Sequence, residues 1–259
     1  MNITNLLIVF SRCRRKLVLY NLAHLLYIVS SLTIVVGFCI LFKNVSSRVR
    51  INILRIIALL TIITHVSTLF YNYFVNPTNT IFSEKSTIYP YYFCNLMMIL
   101  LPITFCGPKV LRPLYPFVLW GAFFGGMITT IVPEFYNGGN IFEIGVFKSF
   151  LSHTFMILAF AFAVASGEYR IRLKDMWVFP VGLLFCGVIG LVNNFLWTKF
   201  ALGEANSMYL NGPALEGTPF TGYVIAALML IVVYSSAFIS DTLRKKKSNN
   251  IGRQKELAS

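Results

Sequence analysis

Seven long stretches of this chain pass with almost no charge, near residues 19–42, 51–75, 91–107, 111–133, 146–166, 176–198 and 219–241. They constrain the fold more than any motif does. A hydrocarbon core roughly 30 Å thick requires about twenty apolar residues of a helix, and backbone polar groups inside it must be satisfied within the helix itself. Composition agrees, with 57% apolar and 12% charged residues where a soluble domain carries about 25% charge. The expectation is an all-α polytopic membrane protein, a seven-transmembrane-helix bundle. The third stretch is the shortest, and Lys109, Arg112 and Pro113 make its link to the fourth a tight turn.

With the spans set aside, no soluble domain of useful size, and no repeat, remains. Residues 19–241 are expected to form the transmembrane domain and 242–259, with the run "RKKKSNN", a basic cytoplasmic tail. Residues 1–18 place the apolar "NITNLLIVF" before the basic "SRCRRK", the reverse of a secretory signal. That segment reads as a short interfacial helix that is kept.

Orientation follows from the basic residues. Links after the first, third and fifth spans, plus the carboxyl tail, hold Lys43, Arg48, Arg50, Arg55, Lys109, Arg112, Arg170, Arg172, Lys174, Arg244, Lys245, Lys246, Lys247, Arg253 and Lys255. The opposite links hold only Lys85, Lys148 and Lys199. Positive charge stays inside, which puts the carboxyl terminus in the cytoplasm and the amino terminus outside, in the cell membrane. Arg12, Arg14, Arg15 and Lys16 run against that rule. Glu84, Glu134, Glu143, Glu204 and Glu216 fall in the outer links.

The net charge of +13 does not point to nucleic acid, because the cations sit in short turns beside lipid. The expected partners are membrane phospholipids, with anionic headgroups at the cytoplasmic face, and no nucleic acid.

This topology brings many polar residues to one depth. Cys94 and Asn95 open the third span, Ser152 and His153 lie in the fifth, and Thr129, Thr130, Asn193 and Asn194 close the fourth and sixth. His24 joins the same outer layer. Polar groups in hydrocarbon should face the bundle interior and one another. Gly121, Gly125 and Gly126 let a neighbouring helix approach the fourth span at that level. Interhelical hydrogen-bond glue is the plainer reading for any one of these residues, and it is the one kept for His24 and His65.

The five cysteines lie at different depths and show neither a disulfide framework nor metal spacing. Cys39, Cys106 and Cys186 read as small apolar fillers. Cys94 alone shares a layer with a histidine on another helix. A buried thiol is inert unless an adjacent imidazole takes its proton, so Cys94 is either one more filler or a nucleophile with His153 as its base.

Five short elements carry a resemblance to a known family. "PYYFC" (Pro90 to Cys94), Trp120 with Gly121, His153 in "FLSH", Asn193, and "NSMYL" (Asn206 to Leu210) resemble, in order and spacing, the signature of YwaF-like integral membrane proteins. The resemblance covers roughly residues 50–241. Distant eukaryotic transmembrane relatives of that family are lipid acyltransferases that use a cysteine and a histidine, and it implies those roles for Cys94 and His153. The family's His or Gln two residues before the cysteine is Tyr92 here.

The expected chemistry is acyl transfer through a thioester on Cys94, with Asn95, Thr129, Asn193, Asn194, Met208 and Tyr209 around the substrate. Asn193 or roof-loop amides would stabilise the oxyanion. No cofactor and no metal are expected. The alternative is a non-enzymatic transporter or binder of a small solute, although no intramembrane carboxylate or inverted repeat favours one.

Overall fold

The computed structural model describes residues 21–75, 89–132, 136, 140–200, 205–214 and 217–257. Expectations on residues 1–18, and on Cys13, Glu84, Lys85, Glu134, Glu204 and Glu216, lie outside them. The described residues form seven α-helices and no strand: α1 (Leu22–Phe42), α2 (Ser47–Val75), α3 (Phe93–Cys106), α4 (Tyr115–Ile131), α5 (Ile144–Ala165), α6 (Val178–Lys199) and α7 (Gly222–Leu257). Short 3₁₀ turns lie at Lys109–Leu114, Leu173–Asp175 and Ser207–Tyr209. Six of the helical stretches are long and apolar enough to cross a membrane, and α3, with 14 residues, is the shorter apolar helix among them.

Local chemistry sets the helix ends. Asn21 caps α1 by accepting from the His24 backbone N–H at 2.9 Å. Pro116 occupies the first turn of α4, where its missing N–H costs nothing. The end of α5 turns away at Gly167, whose φ of +76° suits a residue without Cβ. The last helix runs on as far as Leu257. Its amino-terminal half is the apolar span, and the helix continues through the basic run that composition marks as a tail.

Burial sorts the helices into layers. In the most apolar window of α5 67% is buried, against 17% in α1 and in α7, so α5 is central and the other two face outward. Their exposed side chains, such as Leu26 and Ile40 on α1, Leu184 and Phe195 on α6, and Ile231 and Phe238 on α7, are large and apolar, as a surface facing lipid requires. Helix α5 packs on α1, α2 and α4, while α3 fits between α2 and α4 and touches α5. Helix α6 leans on α4.

Lipid is as apolar as a leucine side chain, so close backbone approach and internal polar pairs must hold such helices together. Glycines supply the approach. A Cβ on Gly182 would fall 2.2 Å from the Phe117 ring, and one on Gly121 2.3 Å from the Met97 sulfur.

The two ends of the bundle differ chemically. At the basic end Arg50 Nη1 donates to the Ser166 carbonyl and Arg55 Nε to the Phe105 carbonyl at 3.1 Å. There too Asp241 Oδ2 accepts from the Leu173 N–H at 2.9 Å. At the opposite, aromatic end Tyr89, Tyr91, Tyr92, Trp197 and Tyr209 form a chain of ring contacts.

Candidate functional site

Helix α3 rises only about 21 Å at 1.5 Å per residue, well short of a core roughly 30 Å thick. With Cys106 at the basic end, its amino end therefore stops below the aromatic surface. Cys94 is the second residue of that helix, half-buried, with Sγ donating to Asn95 Oδ1 at 3.5 Å. Asn95 itself is buried.

Two adjacent glycines of α4 seat the helices that carry the sulfur and the imidazole. A Cβ on Gly125 would lie 3.3 Å from both Cα and Cβ of Cys94, and 2.9 Å from the Met156 methyl. One on Gly126 would lie 2.8 Å from the His153 carbonyl oxygen and 2.7 Å from Ile157 Cγ1. His153 and Met156 are three residues apart and so share a face of α5. Cys94 and that face of α5 thus meet the same short segment of α4, at one level of the bundle.

His153 is buried, and its Nδ1 lies 2.6 Å from the Ser149 carbonyl one turn earlier. A carbonyl only accepts, so Nδ1 carries the proton and Nε2 is the basic nitrogen. Lys148 lies on the same helix, and its Nζ donates to the His65 carbonyl of α2 at 3.4 Å.

Above α3 sits a roof built on Ser207, which is fully buried. Its N–H donates to Asn194 Oδ1 at 2.5 Å, its hydroxyl donates to the Tyr91 carbonyl at 2.6 Å, and its carbonyl accepts from Asn194 Nδ2 at 3.5 Å. Asn193 Nδ2 donates to Ser207 Oγ and to the Pro90 carbonyl, both at 3.2 Å. The Met208 N–H returns to the Tyr91 carbonyl at 3.1 Å, and the Asn206 N–H to the Tyr91 hydroxyl at 2.7 Å. Met208 and Tyr209 follow with φ of 54° and 56°, an uncommon region for residues with a Cβ. Met208 is buried against Gly190, and the Tyr209 ring lies 5.5 Å from that of Tyr92.

These bonds divide the polar layer. Asn193 and Asn194, adjacent amides on successive faces of α6, both turn to the roof and spend their N–H groups there. Thr129 is half-buried and makes no side-chain hydrogen bond with the described residues. His24 belongs to a separate network: its Nε2 meets the Thr130 carbonyl at 2.9 Å, and its ring stacks on Phe150. Beside it Tyr27 donates to the Phe150 carbonyl and bonds Thr154, both at 2.6 Å. Ser31 meets the same threonine at 2.9 Å. This is the interhelical glue expected of His24. Among the described residues no group of three His, Cys, Asp or Glu is placed to hold a metal.

Sequence reasoning missed Ser207, Tyr91 and Ser149. Ser207 is the second residue of the "NSMYL" motif and Tyr91 the second of "PYYFC", so both lay in stretches already singled out; Ser149 stands four residues before His153, the spacing that brings its carbonyl under the ring.

Compared with known proteins, the chain matches the model of the TMEM164 family over residues 19–240. No curated protein and no solved structure matches it.

Proposed function

The chain belongs to the TMEM164 family and is a multi-pass membrane protein, and from that premise we propose that it is a phospholipid acyltransferase acting through Cys94 and His153. The observation that carries the reading is the seating of Cys94 and the His153 face of α5 on the adjacent Gly125 and Gly126. The resemblance of "PYYFC", "FLSH" and "NSMYL" to YwaF-like proteins, with their distant acyltransferase relatives, selects the same two residues.

In the proposed reaction His153 Nε2 takes the Cys94 proton, and the sulfur attacks the ester carbonyl of a phospholipid. The tetrahedral intermediate collapses, the C–O bond breaks, and the departing alkoxide of the lysolipid takes the proton back from the imidazolium. The acyl group remains on sulfur as a thioester. A hydroxyl of a second lipid then loses its proton to His153 and attacks the thioester, which regenerates the thiol. The positive end of the α3 dipole faces the charge that develops on sulfur and on the oxyanion. Asn193 and Asn194 act as positioning residues: they fasten the roof and the Pro90–Tyr91 entrance to α3 rather than bonding the oxyanion. Met208, Tyr209 and Tyr92 form the apolar lid under which the acyl chain passes, with Asn95 and Thr129 along its path.

In this reading α3 is the seventh crossing, completed by the turns at either end. The basic end is cytoplasmic, with the carboxyl terminus inside, the amino terminus outside, and the chain in the cell membrane.

The test uses purified protein in lipid nanodiscs with a phospholipid radiolabelled in its acyl chain. Hydroxylamine-sensitive label is expected on the wild type and absent from Cys94→Ala. Label retained in Cys94→Ala, or absent throughout, overturns the proposal. Solute binding retained by that variant would instead favour a non-enzymatic pocket.

A further inference from the structure

At the basic end, far along α5 from His153, an open cleft of about 440 Å³ lies between the carboxyl end of α5, the link that follows it, and α7. Its walls are apolar, from Val164, Tyr169, Ile171 and Leu243, and its two charges are both positive, from Arg170 and Arg244. No carboxylate lines it. Asp241, the nearest acid on α7, turns to the Leu173 N–H and to Arg244 Nη2.

Arg244 is held in place and only partly used. Its Nη2 meets the Ile171 carbonyl, Ser240 Oγ and Asp241 Oδ1, and its Nε the Ser240 carbonyl. Its Nη1 makes no hydrogen bond with the described residues. Arg170 is exposed and makes none at all with them. A fixed guanidinium beside a free one, over an apolar floor, matches a phosphate joined to a greasy body. The cleft sits where the apolar span of α7 ends, and exposed Phe238, Ile239 and Leu243 lead from it toward the lipid-facing surface. A soluble anion would leave that floor uncovered, whereas a glycerol backbone and the first acyl carbons would cover it.

We infer that this cleft binds the phosphate headgroup of an anionic phospholipid from the leaflet at the basic end. The inference is independent of acyl transfer at Cys94.

The full chain in detergent micelles, titrated by native mass spectrometry with phosphatidylglycerol, phosphatidylcholine and glycerol 3-phosphate, tests it. Phosphatidylglycerol should bind tightest. Arg170→Gln should weaken it about fivefold, the value of one interfacial cation, and Arg170→Gln with Arg244→Gln further still. Lys43→Gln with Arg48→Gln, exposed cations elsewhere at the same end, should change it less than twofold. Because Arg170 makes no hydrogen bond with the described residues, its variant tests the site without disturbing their packing. Three results overturn the inference: Arg170→Gln binding like the wild type, the Lys43/Arg48 control weakening binding as much, or glycerol 3-phosphate binding as tightly as the lipid.

Discussion

Ser207 and Asn194 hold each other from both sides, the serine N–H donating to Asn194 Oδ1 at 2.5 Å and the asparagine Nδ2 to the Ser207 carbonyl at 3.5 Å. This pair fixes the roof over the amino end of α3. Asn194→Leu strips a fully buried N–H of its acceptor, a loss of about 1–3 kcal/mol. Thermal unfolding in detergent should fall accordingly, and limited proteolysis should begin to cut within 205–214. A variant with wild-type melting and an uncut loop would show that Tyr91 and Asn193 hold the roof without Asn194.

Gly126 and Gly187 should respond to alanine in opposite directions. At Gly126 the new Cβ meets backbone atoms, the His153 carbonyl oxygen at 2.8 Å and the Ile157 nitrogen at 3.2 Å, so α4 and α5 must part. Overpacking of that kind costs about 1–3 kcal/mol. Nothing lies within 4 Å at Gly187, where alanine should gain about 0.5–1 kcal/mol from helix propensity. Unfolding of the two variants side by side checks the difference, and equal effects would sink the close-approach account of α4.

Much of this architecture was legible in the chain, and the limits have physical causes. Among the described residues hydropathy located both ends of the first six helices and the start of α7 to within a few residues, because a crossing needs a long apolar run. That Cys94 and the His153 face of α5 meet one short segment of α4 is consistent with their expected common depth. What depth cannot supply is azimuth: it did not separate His24, which faces Thr130 and Phe150, from His153, which faces Ser149. Nor did it give Asn193 and Asn194 a common partner, since Ser207 reaches them from a loop whose path no periodicity encodes. The helix through the basic run beyond residue 241 was hidden for another reason, because low hydropathy marks the end of a span without marking the end of a helix.

Orientation can be read from thiol chemistry. Cys106 is exposed at the basic end, and Pro213, exposed beside the roof, can be replaced by cysteine in a chain otherwise free of thiols. A membrane-impermeant maleimide on intact cells should modify Pro213→Cys at once and Cys106 only after permeabilisation. The reverse order would place the basic end outside.

The His153 tautomer makes a sharper test of the proposed chemistry than simple truncation. Asparagine at this position keeps an N–H where Nδ1–H now meets the Ser149 carbonyl at 2.6 Å, but has no basic nitrogen in place of Nε2. His153→Asn should therefore melt close to the wild type while thioester formation on Cys94 slows by about 10²–10⁴, the usual contribution of a general base. A structural histidine would behave otherwise, with stability lost and the rate per folded molecule preserved.

Stability and activity should separate at Tyr209 as well. Its φ of 56° places a bulky residue in the left-handed region, at a cost of about 1–3 kcal/mol, and asparagine tolerates that conformation far better. Its ring stands 5.5 Å from that of Tyr92, so part of the strain is offset by the aromatic contact that closes the roof. Tyr209→Asn relieves the first and removes the second, and the melting temperature should stay within a few degrees of the wild type. On the proposed mechanism acyl transfer should nonetheless fall, because water would reach the thioester once the proposed lid no longer seals it, and hydrolysis would then compete with the second lipid. Free fatty acid released from radiolabelled phospholipid measures that leak directly: it should rise in Tyr209→Asn as transfer to the acceptor falls. If transfer and hydrolysis both match the wild type, the strained turn serves the fold alone, and the lid must be sought elsewhere on the aromatic end.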